Sequence, residues 1–486
     1  MAQKAPWLYQ QVASALLESA ASGVYQPGDR LPSVRRLCEQ YEISLATAVQ
    51  AYAWLQSQGH VEARPKRGYF LTVGESGPGE PATSRPAEQA TPVNVAQLAM
   101  SLVHEARQSG LVKLGAAVPD ASMQPLGPLS RALAGVSRRH YRAPSSYEDA
   151  SGNALLRKQI ARDMRELGCP CRPEDIIVTN GCLEALGLAL ASTTSRGDSV
   201  AIESPTYFGI LQAIESLGLR AVEIPTHPRD GIDIDALAQA LVRQPIRACV
   251  LQPTFHNPLG ATIAEENRQH LAHVLSAAEV ALIEDDVYGP LSYSRRRPRP
   301  VKVWDEQGGI IYCSSFSKTV APGLRIGWML PGRWFETVRY RKFLDNISTA
   351  IHPQLALAEL LARGSLERNH RRVATRYQQR MAQLREWIAR YFPAGTRATN
   401  PDGGFVLWVE LPGNVDSLAL YQQAMQQGIA ITPGILFSAQ AQYTHHIRLS
   451  CGAVEGETAR RAISQLGRMA TEMCDIPAHK KNRHSR

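Results

Sequence analysis

Cysteine is scarce in this chain, with eight in 486 residues. They are scattered, and only Cys169 and Cys171 stand close together. No histidine or further cysteine flanks that pair, so neither a disulfide framework nor a zinc centre is expected, and the thiols should be free and reduced. Long apolar runs are missing as well. None approaches the roughly 18 residues of a membrane helix, and the opening MAQKAPWLYQQ has no signal-peptide core. These absences lead to the expectation of a cytoplasmic protein. No internal repeat is visible. Excess charge is modest: the formal net charge of +9 permits nucleic-acid binding without establishing it. What is present, 44% hydrophobic and 20% charged residues, describes a globular chain with ample core. Its length suits two or three domains.

One stretch organises the rest. Residues 311–327 read IYCSSFSKTVAPGLRIG. An apolar strand-like run leads into Ser314, Ser315 and Ser317, then Lys318, a Pro-Gly turn and Arg325. Small hydroxyls around one lysine, with an arginine seven positions on, suit a phosphorylated aldehyde. The amine would form a Schiff base while Ser315, Ser317 and Arg325 hold the phosphate. Pyridoxal 5′-phosphate is the matching cofactor. The alternative is a solvated lysine in a serine-rich loop.

The first 73 residues have a different character. Residues 7–22 place Leu8, Val12, Leu16 and Leu17 at helical spacing. Ser33 is placed to cap a short helix over 34–41, and Ser44 to cap a third, running to about 58. Residues 60–63 and 68–73 read as two strands joined by the basic turn 64–67. Three helices and a small hairpin make a winged helix-turn-helix. Arg35, Arg36, Arg64, Lys66 and Arg67 are the expected phosphate contacts, with Thr47 and Gln50 reaching base edges. A plain helical domain is the alternative. Residues 1–75 hold seven basic and six acidic side chains, so motif rather than charge carries the argument for DNA. The words PGDRLPSVRRL, Ser44 with Thr47, Ala51-Tyr52 and RGYF resemble the GntR family of bacterial regulators over 7–73. The match departs at Leu45 and Ala46, where that family usually carries polar or basic residues.

Residues 74–95 are rich in Gly, Pro, Ser, Thr and Glu, the composition of a flexible linker. Beyond them, strand-like runs at 175–179, 199–202, 248–252, 281–284 and 309–313 alternate with helical segments. This predicts an α/β fold with a mostly parallel sheet covered on both faces. Ligands collect beyond the carboxyl ends of such strands. Gly181, Cys182 and Leu183 would offer amides to a phosphate at a helix start. Tyr207 would stack on a flat ring. Asn257 would donate to a phenolic oxygen shared with Tyr288, and a buried Asp285 would keep a pyridinium nitrogen protonated. An aspartate at a strand end or a single Asn-Pro is often only turn chemistry. Four such ends in order before Ser-x-Ser-Lys are a more specific signal.

From about 95 to 470 the chain resembles the aspartate-aminotransferase-like, fold type I enzymes. The motifs that carry this are Tyr147 before Gly152, Asn180-Gly-Cys, Tyr207, Asn257-Pro, Asp285-x-x-Tyr288, Ser315-x-Ser-Lys318, Arg325 and Ile-Arg448-Leu. The resemblance implies a smaller C-terminal α+β subdomain and Lys318 as the Schiff-base lysine. It also implies that Tyr147 reaches the phosphate of a neighbouring subunit, and that Arg448 pairs with a substrate or effector carboxylate. A winged helix-turn-helix joined to such a domain resembles the MocR subfamily of transcriptional regulators. The expected organisation is 1–73 DNA-binding, 74–95 linker, 96–474 pyridoxal-phosphate-binding and 475–486 basic tail. That pattern implies a homodimer that binds operator DNA and responds to the coenzyme, or to an amine or amino acid. A working aminotransferase with an accessory DNA-binding domain is the competing reading. The basic run 295–302 would be a solvated surface loop or a further DNA contact. His256 would be structural, with a general-base role as the alternative.

Overall fold

The computed structural model describes residues 8–21, 24–25, 28–57, 60–64, 67–71, 77–106, 108–294 and 296–474. Lys66, Arg295 and the expected tail 475–486 lie outside them. The chain divides into two compact units, Met1–Gly77 and Pro78–Arg486.

In the smaller unit, helices Leu8–Ala21, Val34–Tyr41 and Leu45–Ser57 precede an antiparallel hairpin, Val61–Arg64 with Gly68–Leu71. Ser33 caps the second helix by accepting from the Arg36 N–H at 3.3 Å. Ser44 accepts from the Thr47 N–H at 3.2 Å. Val12, Leu16, Leu37, Tyr52 and Leu55 form the buried core. Tyr52 also stacks on Tyr69 of the hairpin with ring centroids 4.0 Å apart, which ties the wing to the third helix.

The larger unit is built on a nine-stranded sheet. Its main path runs Thr91–Pro92, Arg220–His227, Ser199–Ser204, Ile246–Leu251, Ala281–Asp285, Ile310–Ser315, Gly327–Leu330, Ile177–Thr179. The five strands from Arg220–His227 to Ile310–Ser315 are mutually parallel, and Gly327–Leu330 is inserted antiparallel. Every residue of Ser199–Ser204, Ala281–Asp285 and Ile310–Ser315 is buried, as a sheet covered on both faces requires. The first predicted strand is shorter than expected. Asp175 turns back onto the Arg172 N–H at 2.8 Å and closes a 3₁₀ turn there. A second, antiparallel sheet (Arg397–Ala398, Val406–Glu410, His446–Ser450, Thr432–Pro433) packs with helices Ser365–Tyr391, Ser417–Gln426 and Gly456–Cys474.

Two expectations need correction. Residues 78–95 of the expected flexible linker belong to the larger unit. Glu80 pairs with Arg229 at 2.9 Å and Glu88 with Arg243 at 2.6 Å, while Thr91–Pro92 adds an edge strand. Composition misled because the fastening uses ion pairs and backbone bonds together with a few small apolar anchors, Val93 and Val95, that enter the core of the larger unit. The basic run 295–302 is only in part a solvated loop. Arg297 bonds the buried Asp286 at 2.7 Å and the Tyr312 hydroxyl at 2.9 Å, and Lys302 holds Asp305 at 2.6 Å. Arg299 pairs with Glu265. Arg297 and Lys302 are thus taken up by the fold, while Arg296 and Arg299 stay exposed.

Candidate functional site

The carboxyl ends of the parallel strands open into a cavity of about 650 Å³. Lys318 lies on the turn after Ile310–Ser315 and lines it, as do Asp285, Tyr288, Asn257, Tyr207, Arg325 and Arg448. The Lys318 amine donates to the Ala117 carbonyl at 2.7 Å and stands 5.8 Å from the Tyr288 ring centroid. Burial holds its pKa down at about 8, helped by the Arg448 charge. A lysine in that range is a usable nucleophile near neutral pH.

Asp285 ends its strand fully inside the protein. Burial pushes its carboxyl up to about 6, against bonds from Cys182 Sγ at 3.3 Å and Gln252 Nε2 at 2.6 Å. At pH 7 it is mainly ionised. Tyr288 is buried, and its hydroxyl makes no hydrogen bond. Arg448 donates to Asn257 Oδ1 at 3.1 Å, which leaves the Asn257 amide nitrogen as a donor. Its remaining bonds go to the Gly115 carbonyl at 2.6 Å and Thr432 Oγ1 at 3.2 Å, both neutral, and its Nε has no partner. A guanidinium 3% exposed, lining the cavity and bonded to no carboxylate among the described residues, suits an anion.

The end of the cavity at the start of the helix after Ile177–Thr179 is built largely from backbone. Gly181 has φ +93° and opens helix Cys182–Thr193. A Cβ there would strike the Arg325 guanidinium, and a Cβ at Gly327 would strike the Gly181 backbone. The two glycines therefore let the helix start, Arg325 and the serine turn close on one point. Arg325 donates to the Asn180 carbonyl at 3.0 Å, and no carboxylate pairs with it among the described residues. Ser315, Ser317, Cys182 and Leu183 complete this end of the lining.

Helix Cys182–Thr193 and the antiparallel insertion thus bring the predicted residues together, with one exception. Tyr147 is 80% exposed and lies outside the lining. Sequence reasoning missed Gln252. Its side chain joins Asp285 to Asn257, donating to Asp285 Oδ2 and accepting from the Asn257 N–H at 3.1 Å. A glutamine closing a strand five residues before Asn257 carries no motif that would have marked it. His256 is not in the lining; its Nε2 lies 3.3 Å from Glu203 Oε2, both fully buried. Burial lowers the imidazole and raises the carboxyl, so the pair is neutral at pH 7 and serves as scaffold.

Comparison with known proteins agrees with this geometry. Residues 112–466 match the family model described as aminotransferase class I and II. The chain belongs to that family. Residues 8–71 match the bacterial regulatory proteins of the gntR family, so the aminotransferase-like body carries a helix-turn-helix domain. Two Escherichia coli K12 proteins named as uncharacterized HTH-type transcriptional regulators are similar along nearly their whole length. YjiR is 35% identical over 94% of this chain and 98% of its own. YdcR is 36% identical over 96% and 99%. Among solved structures, LysN of Thermus thermophilus, an α-aminoadipate aminotransferase complexed with N-(5′-phosphopyridoxyl)-L-leucine, superposes with TM-score 0.72 at 26% identity. That match covers 77% of this chain and 95% of LysN. A Pyrococcus horikoshii kynurenine aminotransferase gives TM-score 0.73 at 26% identity, over 81% and 96%.

Pyridoxal 5′-phosphate is the cofactor of this aminotransferase-like fold, and the residues fit it. They include a partly deprotonated lysine, an ionised buried carboxylate, an unbonded tyrosine hydroxyl and a glycine cradle beside an unpaired arginine. In the gntR-family domain, Arg35, Arg36, Ser44, Gln50, Arg64 and Arg67 are exposed and Thr47 is half-buried. Ser44 and Thr47 are bonded to each other at 2.9 Å. Arg64 pairs with Glu62 at 3.1 Å and lies over the Phe70 ring. Among the described residues no helix is long and apolar enough to cross a membrane, and no three His, Cys, Asp or Glu side chains are grouped to hold a metal.

Proposed function

We propose that this protein is a cytoplasmic, pyridoxal-phosphate-dependent, DNA-binding transcriptional regulator, gated by an amine or amino acid. The observation that carries this is a complete amine, carboxylate and guanidinium set around one cavity, in a chain that also holds a winged helix-turn-helix. When bound, the cofactor supplies an aldehyde for primary amines and an electron-withdrawing ring. The chain does the rest. Lys318 offers the amine that tethers the cofactor, and Asp285 holds a proton at the ring nitrogen. Asn257 and Tyr288 supply donors to the ring oxygen. Ser315, Ser317, Arg325 and the Gly181, Cys182 and Leu183 backbone hold the phosphate. Tyr207 stacks on the ring. Arg448 takes the effector carboxylate, and the apolar residues Met100, Val103, Phe208 and Leu436 along the lining favour an uncharged side chain.

The working assembly is a homodimer. Tyr340, Phe343 and Leu344 on helix Phe335–Asn346 are 64%, 52% and 62% exposed, an apolar ridge suited to a second copy. Exposed Tyr147 would then serve the partner's phosphate. Two winged helices would meet paired half-sites, with Arg35, Arg36, Arg64, Lys66 and Arg67 on phosphates, and Thr47 and Gln50 near bases. The effector acts only by binding one arrangement of the dimer better than the other. An aminotransferase remains the second reading, because every cofactor-contacting position is intact.

The test is an absorbance titration of purified protein with amino acids and amines, with binding to DNA upstream of its own gene followed in the same samples. A cofactor band that shifts with one amine, together with a changed DNA complex, supports the regulator. Steady keto-acid production with no effect on DNA overturns it in favour of the enzyme.

A further inference from the structure

The helix Leu45–Ser57 has no charged residue. One side is core: Ala48, Ala51, Tyr52 and Leu55 are fully buried. The other side is exposed and largely aliphatic. Leu45 is 61% and Val49 45% exposed, one turn apart on the same ridge, with Ala46 and Gln50 exposed beside them. Such a ridge at the start of the third helix needs an occupant. The same small unit also exposes Arg35 and Arg36 on the preceding helix and Arg67 at the hairpin. An exposed apolar ridge in a unit that also exposes these cations, and that matches the gntR family of bacterial regulatory proteins, suits a polyanion better than a second protein surface.

We infer that this ridge reads thymine, through its 5-methyl group, in the major groove. The inference rests on the DNA-binding reading above and adds its sequence preference. In that groove the thymine methyl is the apolar feature among base edges that otherwise present donors and acceptors. Leu45 or Val49 against cytosine, guanine or adenine would leave a desolvated polar edge unbonded, which is costly. Against thymine the same side chains bury a methyl. Gln50, beside them, suits a bidentate contact to adenine. The balance of seven basic to six acidic residues in 1–75 gives phosphate contacts little excess charge to work with.

The experiment uses the full-length, cofactor-loaded protein. Duplexes are selected from a random pool, and each thymine of the selected half-site is replaced singly by deoxyuridine, which removes only the methyl. At one or two positions the dissociation constant should rise about fourfold, the worth of one buried carbon group. Leu45→Ala or Val49→Ala protein should bind the thymine and uracil duplexes alike at its own position, while melting at the wild-type temperature. Selected half-sites without a fixed thymine, or indifference to uracil at every position, would overturn the inference while leaving DNA binding standing. So would a Leu45→Asp protein that changes its oligomeric state but keeps its thymine preference, because the ridge would then be a protein contact. Absence of binding to any duplex would instead remove the DNA-binding reading itself.

Discussion

Removing the Arg448 guanidinium should separate amino acids from their decarboxylated amines. The side chain is 3% exposed, and its hydrogen bonds go to Asn257, Gly115 and Thr432, all neutral. Burial pulls its pKa down, the mark of a cation short of counter-charge. An incoming carboxylate supplies that charge and can meet the free Nε–H. A hydrogen bond to a charged group contributes about 1.5–3 kcal/mol, and truncating one partner of a buried pair costs about 2–5 kcal/mol. The lower end, about 2 kcal/mol, is roughly thirtyfold in affinity. Arg448→Ala should therefore weaken the amino acid that most shifts the cofactor band by at least about thirtyfold. The matching amine without its carboxylate should change little. Arg448→Lys keeps the charge but not the planar fork, and should fall between. Absorbance titration of each variant measures both ligands, with cofactor retention as the control, since Asn257 also loses its donor. Equal losses for acid and amine, or no loss for either, would refute the assignment of Arg448 to the carboxylate.

Four further outcomes are expected. Lys318→Ala should abolish the Schiff-base absorbance of the cofactor while DNA binding by the winged helix survives; a normal Schiff-base band would sink the lysine assignment. Cofactor uptake by stripped protein needs the neutral Lys318 amine, and with a pKa lowered to about 8 the protonated form dominates below that pH. The uptake rate should thus rise about tenfold from pH 7 to pH 9 and then level off, which stopped-flow absorbance would show. Gln252→Leu removes the donor to Asp285 and leaves the buried Asn257 N–H unbonded. Equilibrium dialysis should find cofactor affinity down by about tenfold, and an unchanged value would make Gln252 mere filling. Arg67→Ala should weaken all DNA sequences alike and reduce the salt slope by about one; an unchanged slope would take the wing out of the interface.

The legible parts of this protein are those in which one residue does its work through neighbours in sequence. Ser33 and Ser44 were readable as caps because a cap bonds three residues ahead. Lys318 was readable because the serines around it lie within the same turn. The linker, and in part the basic run 295–302, were misread for the opposite reason. Glu80 reaches Arg229 and Arg297 reaches Asp286, partners 149 and 11 residues away that composition alone does not reveal. Gln252 was invisible because its role consists of two bonds to residues on other elements.

By itself the sequence determined the winged helix, the alternating α/β body, the lysine and the ordered strand ends, since periodicity and turn chemistry act over a few residues. Only the tertiary structure decided how those ends converge. The sheet order places Ala281–Asp285 next to Ile310–Ser315 and inserts Gly327–Leu330 antiparallel beside Ile177–Thr179. That insertion brings Gly327 against Gly181 and so closes the glycine cradle beside Arg325. It also took the fold to bury Arg448 from the second sheet beside Asn257 from the first. Burial turned a surface-type arginine into an uncompensated charge and lowered a lysine toward neutrality. Desolvation depends on everything packed around a group, and no local stretch of sequence encodes it.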